Sequence, residues 1–193
     1  MHRQALLDLL DTYQERYPGE LETTDRVRRF VLAHHDCFER TCLQGHVTGS
    51  AWVLSADLGA VLLTHHAKLD RWLQLGGHSD GDPDSFQVAL REAREESGLE
   101  ELVDPAGDLH PVPFDLDVHE IPARGSEPAH FHFDVRYLLV AGPDQVETAS
   151  AESHEIRWVP IDDVRNLTDE VSLLRMVAKT GEFLRSIGSS RSS

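Results

Sequence analysis

An α/β fold, with a mixed sheet between helical layers and an N-terminal helical extension, is the class this sequence predicts. Amphipathic helical periods open the chain, strand-like runs stand before and after one central helix, and another helical period closes it. The 193 residues suffice for a proper core, and 40% hydrophobic with 27% charged residues is ordinary globular composition.

The elements follow in order. Leu6, Leu7, Leu9, Leu10 and Tyr13 cover one side of a helix over 4–17, and Val27, Phe30 and Val31 stripe a second over 23–36. Pro18-Gly19 separates them, and Thr24 or Asp25 is the expected cap. These helices are expected to cover a sheet face or to supply a homodimer contact. From His46 the period becomes that of strands, HVTGSAWVLS and AVLLTHH, with a turn at Asp57-Leu58-Gly59. RWLQL leads into a tight loop at Gly76-Gly77, and a helix from Asp84 or Ser85 runs to Ser97 with Gly98 at C′. The strands PVPFDLDVHEIP and HFHFDVRYLLVA are joined by ARGSEPA, and HEIRWVP is one more. A last helix runs from Thr168 or Asp169 to Ile187, ahead of a frayed tail. The expected boundaries are an extension over 1–44, a domain over 45–188 and a tail over 189–193.

A net charge of −16 offers no basic stripe, which argues against a nucleic-acid polymer as partner. No apolar run is long enough to span a bilayer, and no secretory signal opens the chain, so no membrane partner and a cytoplasmic location are expected. Cys37 and Cys42 are the only cysteines. Beside His34 and His35 they match no standard zinc spacing, and reduced side chains are expected there.

The chemistry concentrates in GGHSDGDPDSFQVALREAREESGLEEL. Glu92, Glu95 and Glu96 stand at i, i+3 and i+4, so three carboxylates share one helical face. Like charges packed this way destabilise a helix unless a cation lies among them, and carboxylate oxygens are what Mg²⁺ or Mn²⁺ prefer. Such an ion would also let so acidic a protein approach a polyphosphate. Arg91, four residues before Glu95, is expected to hold that side chain.

This segment resembles the Nudix box: Gly, five residues, Glu, seven residues, Arg-Glu, apolar, any, Glu-Glu, any, Gly, apolar. Gly77, Arg91-Glu92-Ala93, Glu95-Glu96 and Gly98-Leu99 fall in register, and only the first glutamate departs, being Pro83. Asp80, Asp82 and Asp84 lie around it and offer a shifted carboxylate. The resemblance implies a Nudix α/β/α sandwich, with metal at Glu92, Glu95 and Glu96. It implies a pyrophosphohydrolase that cleaves a nucleoside diphosphate derivative with metal-activated water. Glu95, Glu152 and Glu155 are candidate general bases, with Glu155 preferred because it adjoins a strand.

Expected substrate contacts are Gly77, His78, Arg71, His130, His132 and Arg136, with His65, His66 and Lys68 weaker candidates and Trp72 packed against the core rather than stacked on a base. Phe114, Leu116 and Val118 alternate with Asp115, Asp117 and His119, and Phe131, Phe133 and Val135 with His130, His132, Asp134 and Arg136. These polar stripes read as cleft walls or as an outer face, and His119, His130 and His132 as a second metal set. Two other activities stay open. One is a non-catalytic nucleotide sensor of the same fold, which Pro83 favours and the intact carboxylates disfavour. The other is an isopentenyl-diphosphate isomerase-like enzyme, for which neither cysteine is well placed.

Overall fold

A computed structural model describes residues 2–67, 69–125, 128–150 and 153–190. Lys68, Glu152 and the tail beyond Ser190 lie outside the described residues. The chain is mixed α/β, with an open mixed sheet and N-terminal helices as expected. Its strands are β1 (Gly45–Leu54), β2 (Ala60–His66), β3 (Arg71–Leu73), β4 (Leu75–His78), β5 (Leu102–Val103), β6 (Asp115–Ile121), β7 (His130–Ala141) and β8 (Ser153–Pro160). Its helices are α1 (Gln4–Arg16), α2 (Leu21–Ala33), α3 (Ser85–Ser97) and α4 (Val171–Ser190). The strand order is β3-β2-β1-β7-β5, with β4 on β1, β6 on β7 and β8 on β2. Two compact units divide the chain.

The first unit joins Met1–Ala51, Gly76–Glu92 and Asp108–Tyr137. Here the two expected strands β6 and β7 pair antiparallel, with Asp115 opposite Arg136 and Ile121 opposite His130. The apolar stripes of α1 and α2 are used within this unit. Leu6, Leu10, Tyr13, Val27 and Val31 are buried, and Phe30 stacks on Phe133 at 3.8 Å between ring centroids. The helices thus cover a sheet face. The Arg3 guanidinium donates to the Val31 and His34 carbonyls at 2.8 and 3.2 Å, closing the end of α2. The expected cap of α2 is corrected: the N-cap is Glu20, and Thr24 lies buried inside the helix, donating to the Glu20 carbonyl.

The second unit joins Trp52–Leu75, Ala93–Gly107 and Leu138–Ser193. The central strand β2 pairs antiparallel with the end of β1, with β3 and with β8. Val61, Leu62 and Leu63 are buried there, and the Trp52 indole donates to Thr180 Oγ1 of α4 at 2.8 Å. α4 begins later than expected, because a short 3₁₀ segment, Ile161–Asn166, precedes it. It also continues through the residues expected to fray, as far as Ser190. Among the described residues, no helix is long and apolar enough to cross a membrane.

Candidate functional site

The start of α3 is built by aspartates around the departure at Pro83. Asp84 Oδ1 accepts from the amides of Phe86 and Gln87 at 3.2 and 3.1 Å, which is N-capping. Asp82 Oδ1 in turn accepts from the Asp84 amide at 3.0 Å. Proline supplies no donor, so the two flanking carboxylates anchor the helix. At its far end Gly98 takes φ 71°, and its amide donates to the Arg94 carbonyl at 2.8 Å, as a C′ glycine does.

Gly76-Gly77 is not the expected loop, since both glycines lie in β4. Their lack of side chains matters for close approach instead. A Cβ on Gly77 would overlap the Glu92 carboxylate, and one on Gly76 would overlap Ser50. On β1, Gly49 serves the same purpose, where a Cβ would come within 2.6 Å of the Ser85 carbonyl. The Glu92 carboxylate therefore lies against the backbone of β4. The Arg91 guanidinium fixes it there, donating to Glu92 Oε1 at 2.9 Å and to the His78 carbonyl at 3.0 Å. Asp82 is 3.9 Å from the same guanidinium. The expected partner of Arg91 was Glu95; adjacency and the shared His78 carbonyl direct it to Glu92 instead. On the helix face Glu92 and Glu96 are half-buried and Glu95 is exposed.

Next to Gly77 stands a nest of imidazoles. His78 lies 4.9 Å from His46 and 5.0 Å from His132, ring to ring, and His130 lies 4.9 Å from His46. The Nε2 atoms of His46 and His132 are 3.2 Å apart. Burial, then the neighbouring imidazoles, pulls the His46 pKa down to about 4 and that of His132 down to about 2, so both rings are neutral near pH 7. His119, expected in the metal set, instead meets Asp117 at 2.9 Å. His46 takes its place, a residue sequence reasoning passed over. The signal was available: His46, Thr48 and Ser50 alternate as a polar stripe within HVTGSAWVLS.

Further along β7 the same stripe is closed. Arg136 is 2% exposed and meets Asp134 at 2.7 Å and both Asp115 and Asp117 at 3.3 Å. Burial opposes its charge, but the three carboxylates outweigh that and raise its pKa above the ordinary arginine value. Asp134 also accepts from Thr48 and Ser50 at 2.8 and 2.7 Å. The expected substrate contact at Arg136 is corrected on this ground, because its donors serve internal partners. Nor is this stripe an outer face, since Asp115 and Asp134 are buried too.

Arg71 and Glu155 belong to the second unit. Arg71 is exposed, 3.8 Å from Glu170. Glu155 lies within β8 rather than before it, opposite His65 and 3.7 Å from Arg157. Trp72 is half-buried, stacked on His65 at 5.0 Å with the Arg157 guanidinium 4.5 Å over its ring. His65 also meets Asp70 at 3.2 Å. A cavity of about 560 Å³ in this unit, lined by residues including Arg94, Glu101 and Leu102, contains none of the expected site residues. Cys37 and Cys42 are buried and form no disulfide, and burial pushes the Cys37 thiol up to about 12.

A family model described as NUDIX domain matches residues 45–180. No curated protein matches. Among solved structures, an Ap4A hydrolase from C. elegans is similar at TM-score 0.58 and 18% identity, over 72% of this chain and 98% of that one. A NUDIX-family hydrolase from Clostridium perfringens is similar at TM-score 0.53 and 22% identity, over 72% and 97%. The E. coli dihydroneopterin triphosphate pyrophosphohydrolase follows at TM-score 0.52 and 16% identity, over 68% and 91%. At these identities the likeness is one of fold.

Proposed function

The chain belongs to the NUDIX domain family and is a hydrolase of phosphoric anhydride bonds; we propose that it cleaves the diphosphate of a nucleoside diphosphate derivative, with Mg²⁺ or Mn²⁺ held by Glu92, Glu95 and Glu96. The observation that carries this reading is the Glu92 carboxylate, laid against Gly77 and clamped by Arg91, on the helix that also carries Glu95 and Glu96. The donors fit the ion. All are hard carboxylate oxygens, and the side chain that Gly77 lacks would displace one of them. The domain is taken as 45–188 with 1–44 as its helical extension. The cytoplasm is its compartment, supported by two cysteines outside any disulfide. The substrate class is in keeping with the compound named for one structural neighbour, Ap4A.

When bound, the divalent ion neutralises the diphosphate and lowers the pKa of a water. The residues of the chain do the rest. Arg91 is a positioning residue that keeps Glu92 aimed by its two hydrogen bonds. Glu95 is exposed and makes no ion pair among the described residues, so a carboxylate oxygen not committed to the metal can take a proton. Water oxygen bonds to one phosphorus as its proton passes to Glu95, and the bridging P–O bond breaks to release the second phosphate. Gly77 and His78 offer the adjoining backbone to substrate. Glu155 is the alternative base, though its carboxylate is shared with Arg157.

Purified protein incubated with Mg²⁺ or Mn²⁺ and a panel of nucleoside diphosphate derivatives tests this. Turnover is expected, falling roughly 10²–10⁴-fold in Glu95→Gln and little in Glu155→Gln. No turnover across the panel would favour a binding-only protein, and a Glu95→Gln rate equal to wild type would remove the assignment.

A further inference from the structure

His46 of β1 and His130 and His132 of β7 each offer one ring nitrogen, and these three atoms lie within 4.8 Å of one another. His78 adds a fourth ring beside them. We propose that His46, His130 and His132 bind a borderline divalent transition metal of the zinc class, with His78 as the fourth donor.

Three features point the same way. A tetrahedral site with Zn–N bonds of about 2.0–2.1 Å has its nitrogens roughly 3.3 Å apart, and His46 Nε2 and His132 Nε2 are 3.2 Å apart. His130 Nδ1 lies 3.0 Å from the Pro128 carbonyl. A carbonyl only accepts, so Nδ1 is the donor there and Nε2 is the nitrogen that would ligate. This is the arrangement in which a ligating histidine is oriented by its second nitrogen. Thirdly, His46 is 2% exposed, and its Nδ1 has no hydrogen-bond partner among the described residues. The ring is thus a buried polar group that internal hydrogen bonding only half satisfies, and a metal ion at Nε2, the nitrogen facing His132, would offset part of that burial.

Neutral imidazole suits zinc, nickel and copper ions, whereas the carboxylates of α3 suit the harder magnesium and manganese. The proposal therefore goes beyond the catalytic reading and does not depend on it. It also replaces the expected trio containing His119, which is not in the group of donor atoms within 4.8 Å of one another.

The test uses the full chain without a histidine tag, stripped with a chelator and titrated with Zn²⁺ by calorimetry. The one-to-one complex is then measured by X-ray absorption. One tight equivalent is expected, with a shell of imidazole nitrogens. At free Zn²⁺ one hundred times Kd, the melting temperature should rise by about 5–10 °C. Affinity should fall at least about 100-fold in His132→Asn and in His46→Asn, and stay within about threefold in Glu96→Gln. If the histidine variants do not fold, the wild-type spectrum decides alone. Absence of Zn²⁺ binding, or a shell of oxygens only, overturns the proposal. So does a sulfur donor, which would move the ion to Cys42 with His34 and Asp36, a second group of close donor atoms. Binding lost in Glu96→Gln but kept in His132→Asn overturns it too.

Discussion

Four residues of β7 share one polar stripe, His130, His132, Asp134 and Arg136, yet its two halves satisfy burial by opposite means. The Asp134–Arg136 half pairs full charges with one another and with Asp115 and Asp117, and adds hydroxyls from Thr48 and Ser50. The His130–His132 half gathers rings instead, with His132 Nε2 3.2 Å from His46 Nε2 and the His130 ring 5.3 Å from that of His132. Charges brought inside require geometric closure, because an unpaired one costs several kcal/mol. Neutral imidazoles tolerate burial without closure, which leaves lone pairs for a ligand. One alternating pattern thus builds a locked support and, two residues away, a receptive site.

Three substitutions can break this contrast. Arg136→Met, which leaves three carboxylates around a lost cation, should cost about 3–5 kcal/mol in urea unfolding. Thr48→Val takes one hydrogen bond from Asp134, and a loss of about 1.5–3 kcal/mol is expected by the same measurement. In metal-free protein, His132→Phe should change stability by no more than about 1 kcal/mol, since it removes a neutral ring with no ionic partner. If His132→Phe destabilised the metal-free chain as much as Arg136→Met, the two halves would be one structural network.

The carboxylate helix was legible in the sequence because its ligands are local: i, i+3 and i+4 on a helix need no knowledge of the rest of the chain. Strand alternation likewise placed β6 and β7. What stayed hidden depends on contacts between segments distant in sequence. His46 meets His132 only because β1 and β7 are neighbours in the strand order. Arg136 read as a substrate contact because its stripe was visible, while the register that brings Asp115 and Asp117 beside it was not. Arg91 was assigned to Glu95 by spacing, while the His78 carbonyl, thirteen residues before it in sequence, decides for Glu92. The Pro83 departure was resolved by Asp84, whose cap is local and whose position was visible in advance.

The central claim is that one chain sorts two kinds of cation by donor chemistry, oxygens on α3 and nitrogens between β1 and β7. Crystals soaked separately with Mn²⁺ and Zn²⁺, and measured at each metal's absorption edge, test it most directly. The account predicts a manganese peak at Glu92, Glu95 and Glu96 and a zinc peak bounded by His46, His130 and His132. Both ions at a single position, or no anomalous density at the imidazoles, would contradict it.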